Sequence, residues 1–243
     1  MENVKNKFWV WYIPLLVIVC LVVGVLLIEA KNKETVNTGN NSDAVKFNNE
    51  YSELNGKVND SNGSYYPEVT VGDNNPFVYA SIDDIKELFD GGTGVIYFGF
   101  PNCPWCRNLV PVLNQAISQT SISKVYYFNI LDIRSKITVN DDNTLNVTKG
   151  NDFYYYLLEK LDSNLTEYYV KNSKGKEIDT KEKRLYAPTV VFIKEGNVVG
   201  MHEGTVDSQE DPYVVLSDSQ KEELMGILQN YLVKVTESCD EKC

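Results

Sequence analysis

The sequence predicts an α/β domain carried behind an apolar N-terminal segment. Three observations carry that expectation. Short apolar runs of strand length alternate with stretches of helical period over most of the chain after residue 76. A C-x-x-C motif stands where one such run meets a helix. A long run without a charged side chain opens at Phe8 and closes at Ile28.

That first run, residues 8–28, is long enough to cross a hydrocarbon core of ~30 Å, whereas a cleavable signal has an apolar stretch of only about 7–15 residues. The expectation is a retained transmembrane anchor after a short tail at 1–7. Trp9, Trp11 and Tyr12 suit the membrane interface, and Cys20 within the run reads as a passive apolar-phase cysteine. Residues 29–75 are rich in Asn, Ser, Gly and charge and read as a polar linker. Within it, Phe47, Tyr51 and Leu54 fall at helical spacing and the stretch Tyr65 to Val71 looks strand-like, so parts of the linker are candidates to dock on the domain.

The domain spans 76–236. Phe77-Val78-Tyr79 reads as a first strand, and Ser81 with Asp84 three residues on forms a capping box for a helix whose apolar stripe is Ile82, Ile85, Leu88 and Phe89. Gly91-Gly92-Thr93-Gly94 stops it. Val95 to Phe100 is then a central strand, 103–120 a helix, and 124–130 a returning strand. Residues 152–161 read as a helix with Phe153, Leu157, Leu158 and Leu161 on one face, and Tyr168-to-Lys171 with Glu177-to-Asp179 as a hairpin. Val190 to Ile193, the turn Lys194-Glu195-Gly196-Asn197 and Val198-Val199-Gly200 read as strand, tight turn, strand. A last helix covers 218–235, with Leu224, Ile227, Leu228, Tyr231 and Leu232 as its buried stripe; residues 237–243 are a tail bearing Cys239 and Cys243.

The chemistry concentrates in Phe100-Pro101-Asn102-Cys103-Pro104-Trp105-Cys106-Arg107. Unpaired N–H groups and the positive dipole end at a helix N-terminus favour a thiolate over a thiol, so Cys103 is the candidate nucleophile. Pro104 suits the first helical position. Cys106 follows one turn on, where its sulfur can resolve a mixed disulfide.

With Tyr186-Ala187-Pro188-Thr189 before a strand, Gly196 in the hairpin, Gly204 beyond it and Pro111 five residues after Cys106, the sequence resembles the thioredoxin-like superfamily. The C-P-W-C interior is similar to that of bacteriocin-transport accessory proteins, and the anchored arrangement resembles thioredoxin-like membrane proteins of Gram-positive bacteria. The resemblance implies a thioredoxin fold: a central mixed sheet flanked by helices, with an insertion at about 132–184 before the cis-proline strand. It implies a substrate groove at Trp105, Ala187 and Pro188, with Trp105 exposed, and no bound cofactor. One departure is plain: where the family keeps a buried acid on the strand before the cysteines, this chain has Tyr97, so proton transfer at Cys106 needs water or another group.

A net charge of −11 and a pI near 4.7 argue against nucleic acid as a partner, since phosphate binding needs clustered Lys and Arg. The single His202 reads as a satisfied strand residue, and no ligand set for a metal is visible. For Cys239 and Cys243 three readings compete: a local disulfide, an accessory redox pair exchanging with Cys103 and Cys106, or part of a four-thiolate metal site, the last disfavoured. The functional expectation is an extracytoplasmic, membrane-anchored thiol–disulfide oxidoreductase acting on protein or peptide thiols and disulfides together with a redox partner protein. The alternative is a non-catalytic accessory protein that binds an exported peptide such as a bacteriocin.

Overall fold

The strand Val95-Ile96-Tyr97-Phe98 is apolar on both sides, the pattern of a strand covered on both faces. It forms β2 (Gly94–Gly99), every residue of which is buried, at the centre of a five-stranded mixed sheet. The structure, a computed structural model, describes residues 42–237. The expected membrane segment at 8–28, Cys20, Cys239 and Cys243 lie outside the described residues. Among the described residues no helix is long and apolar enough to cross a membrane.

Around β2 the sheet runs in the order β1, β3, β2, β8, β9. β1 (Phe77–Tyr79) and β3 (Val125–Asn129) are parallel to β2, while β8 (Thr189–Lys194) and β9 (Asn197–Glu203) run antiparallel. The β8–β9 turn needs left-handed backbone at Glu195 (φ 50°) and Gly196 (φ 78°), which is why glycine stands at the second position. Helices cover the sheet: α1 (Ser42–Ser52), α2 (Ile82–Phe89), α3 (Pro104–Ser118), α4 (Asp152–Lys160) and α5 (Asp218–Thr236). The Ser81–Asp84 capping box forms as the spacing predicts, although Ile82 of the expected stripe is exposed. Pro111 lies inside α3.

Alternation along the strands sorts the layers. Phe98 meets Phe128, and Phe128 meets Phe153 of α4, which also touches α2 through the Phe89–Tyr156 ring contact. Tyr97 lies on the opposite face, stacked on Tyr127 and edge-on to Phe77. Phe192, paired in register with Val95, stacks there on Tyr231 of α5. In α4 it is Tyr154, not Leu158, that is buried with Phe153 and Leu157; its ring lies against Gly150 and its hydroxyl accepts the Leu185 N–H.

The segment expected as a polar linker is, from Ser42 onward, part of the core. In α1, Phe47 and Tyr51 are fully buried and Phe47 stacks on Phe77 with ring centroids 4.1 Å apart. Asn75 ties the segment down by donating to the carbonyls of Ala44 and Gly72, both at 2.7 Å. The stretch Tyr65 to Val71 is not a strand, apart from a single bridge between Val58 and Tyr65. Pro67 has no N–H to offer a ladder, and the Val69 N–H and carbonyl are both taken by the Asn55 side chain at 2.9 Å.

Residues 132–184 build two small antiparallel sheets beside the main one. β4 (Lys136–Val139) pairs with β5 (Leu145–Thr148), and β6 (Glu167–Lys171) with β7 (Glu177–Lys183). The second hairpin follows the expected spacing; the first was not anticipated, because its run Leu145-Asn146-Val147-Thr148 buries none of its residues and carries a weak pattern.

Candidate active site

Cys103 is the N-cap of α3, and its sulfur accepts the Cys106 N–H at 3.3 Å. Its S–H donates to the Ala187 carbonyl at 3.4 Å, across a cis Ala187–Pro188 peptide bond from β8. Pro104 opens the helix as expected. The two sulfurs are unequal. The Cys106 thiol beside it, the backbone N–H groups of Cys106 and Trp105, and the Arg134 guanidinium pull the Cys103 thiol below its ordinary value, against burial. Burial, then the neighbouring Cys103, pushes the Cys106 thiol well above its own. Cys106 is fully buried and Cys103 nearly so.

An open cavity of about 630 Å³ adjoins the motif, lined in part by Trp105, Ala187, Tyr186, Glu203, Glu223 and Tyr231. Trp105 and Ala187 thus face one space, while Pro188 is buried beneath it and accepts the Gly204 N–H at 2.9 Å. Trp105 is half-buried, not fully exposed as expected, because its indole rests against the core. His202 also lines the cavity; its Nε2 pairs with the Thr205 carbonyl at 2.8 Å, and burial pushes its pKa down. Cys239 and Cys243 lie outside the described residues. Among the described residues no cluster of three His, Cys, Asp or Glu side chains is placed to hold a metal ion.

A pair of tyrosines lies close to Cys106. The Tyr97 hydroxyl faces the Cys106 sulfur, where it favours the thiolate, and it is held at 2.8 Å from the hydroxyl of Tyr51, contributed by α1. Both rings are fully buried, and burial pushes both hydroxyls well above the usual tyrosine range, so they stay protonated. Gly99 makes the arrangement possible: a Cβ there would sit 2.2 Å from the Tyr97 hydroxyl.

Arg107, next to Cys106, is fully buried and forms no ion pair among the described residues. It donates instead to the carbonyls of Pro67 (2.6 Å), Tyr51 (2.7 Å) and Pro101 (3.2 Å) and to Asn55 Oδ1 (2.6 Å). One guanidinium therefore joins the N-terminal segment to the loop that carries the motif. Sequence reasoning missed Arg107, Arg134 and Tyr51 as site residues; the usable signal was the scarcity of arginine, only three in the chain, one of them directly after the motif.

Comparisons of the chain with protein-family models, with curated proteins and with solved structures each give no match.

Proposed function

We propose that the protein is a thiol–disulfide oxidoreductase of thioredoxin-like fold, anchored by residues 8–28 with its globular part outside the cytoplasm. The observation that carries the reading is the asymmetric cysteine pair at the head of α3: an N-capping Cys103 with a depressed pKa, backed by a buried Cys106 with a raised one. The β-α-β order around the motif, the sheet order and the position of Pro188 opposite Cys103 support the thioredoxin-like fold.

In the reducing direction the Cys103 thiolate attacks one sulfur of a substrate disulfide. The S–S bond breaks, a mixed disulfide forms, and the other substrate sulfur leaves as thiolate. Cys106 then loses its proton and attacks the Cys103 sulfur, releasing the second substrate thiolate and leaving a Cys103–Cys106 disulfide. Two electrons pass from protein to substrate. Tyr97, oriented by Tyr51, donates a hydrogen bond to the Cys106 thiolate as it forms; water carries the proton away. The reverse sequence oxidises a dithiol substrate.

Trapping tests the assignment. Cys106→Ala should accumulate mixed disulfides between Cys103 and a disulfide-bearing protein such as insulin, and Cys103→Ala should accumulate few. Absence of both trapping and insulin reduction would overturn the catalytic reading in favour of the peptide-binding one.

A further inference from the structure

The chain has 34 acidic and 23 basic side chains, and only three of the basic ones are arginines, Arg107, Arg134 and Arg184. The five ion pairs of the described residues all use lysine. Arg107 spends its N–H groups on buried carbonyls and Asn55, whereas the guanidinium of Arg184 makes one such bond and that of Arg134 none among the described residues. The Arg134 guanidinium has no hydrogen-bond acceptor among the described residues. It lies 5.1 Å over the ring of Phe100, the residue whose carbonyl accepts the Cys103 N–H at 3.2 Å. Arg184, at the end of the insertion, is buried against Tyr168 (4.4 Å) and Tyr186 (5.8 Å). Among the described residues its guanidinium makes one hydrogen bond, at 3.0 Å, to the carbonyl of Ser135, next in sequence to Arg134.

Arg184 thus stands near Arg134, whose charge it disfavours, and Arg134 stands near the nucleophile; among the described residues neither guanidinium forms an ion pair with a carboxylate. Aromatic faces hold them in place at little further entropic cost. A planar, pre-set fork without a partner suits a carboxylate supplied from outside. The carboxylates of Glu203, Asp207 and Glu223 line the cavity on the Trp105 side and oppose any general attraction for anions.

We propose that Arg134 and Arg184 form a recognition element for a carboxylate carried by the disulfide substrate close to its sulfurs. This rests on the oxidoreductase reading above. The carboxylate can belong to a small thiol acid or to an acidic residue flanking a peptide cysteine; the chemistry is shared, and the probes below separate the two sources.

The test measures the rate at which the reduced protein is oxidised by three small disulfides matched in size: 3,3′-dithiodipropionate (anionic), bis(2-hydroxyethyl) disulfide (neutral) and cystamine (cationic). A second arm uses a disulfide peptide with Glu or Gln beside its cysteine. Because Arg134 also favours the Cys103 thiolate, Arg134→Gln slows every probe, so the readout is the ratio of anionic to neutral rates, after correction for their intrinsic rates with a free thiol. Arg134 has no hydrogen bond to lose, so that variant should fold even if Arg184→Gln does not. The expected ratio in the parent is about tenfold in at least one arm, as for a charge-assisted contact. It should fall to about unity in Arg134→Gln and recover only in part in Arg134→Lys. The arm that shows the preference identifies the source. Equal corrected rates in both arms, or a ratio unchanged by Arg134→Gln, would overturn the proposal. Failure of every disulfide to oxidise the dithiol would instead overturn the oxidoreductase reading.

Discussion

Two segments flank the central sheet, and they attach in different ways. The N-terminal segment, residues 42–75, enters the core: Phe47 and Tyr51 are fully buried against β1 and β3, and Arg107 of α3 donates to its backbone. The hairpins of residues 132–184 stand beside the sheet, with Val147 and Tyr169 exposed and β5 without a buried residue. A polar average does not make a tether. A few aromatic side chains at the right spacing, fixed by one buried guanidinium, make the first segment structural, whereas in residues 132–184 it is α4, through Phe153, Tyr154 and Leu157, that enters the core while the hairpins stand beside it.

The largest effects should come from breaking the first attachment. Phe47→Ala removes a fully buried ring and should cost about 3–5 kcal/mol in denaturant unfolding. Arg107→Ala should cost a similar amount, about 3–5 kcal/mol, because it strands three backbone carbonyls and Asn55 without their donor. Losses under about 1 kcal/mol in both would return this segment to the status of a linker.

A smaller effect, read in kinetics, separates the tyrosine pair from mere packing. Tyr97→Phe keeps the ring and loses the donor, so the Cys106 pKa should rise further and the resolving step should slow about tenfold at neutral pH, recovering as the pH is raised. Tyr51→Phe should give a weaker version of the same shift. A resolving step with an unchanged pH profile in Tyr97→Phe would leave the pair a structural role only.

The smallest of the three effects on stability belongs to the hairpins. Ile137→Ala removes the buried residue of β4 and should cost about 2 kcal/mol, the low end for such a change, because an edge hairpin can close over the gap. A cost equal to that of Phe47→Ala would erase the difference between the two segments.

The five strands of the central sheet and the dithiol at the head of α3 were legible because each rests on a local signal: a continuous apolar run, a capping box, a cysteine pair opening a helix. The helical spacing of Phe47 and Tyr51 was visible too and made them candidates to dock on the domain, but their partner was not, since burial against Phe77 is decided by contacts thirty residues away. Tyr97 was recognised as a departure, yet its partner comes from another helix, and the role of Gly99 follows only from the ring lying across it. Arg134 meets Phe100 of the motif, and Arg184 meets Ser135 beside it, through a path across residues 132–184 that no periodicity encodes.

The most direct test of the central claim is the pH dependence of alkylation of the reduced protein by iodoacetamide, with each cysteine followed by peptide mass mapping. A depressed pKa at Cys103 and a raised one at Cys106 predict that Cys103 is modified first. Its rate should rise through a midpoint below about 8.5, the ordinary thiol value, while Cys106 stays unmodified until well above it. Modification of Cys106 first, or of both through one ordinary midpoint, would contradict the assignment of nucleophile and resolving thiol.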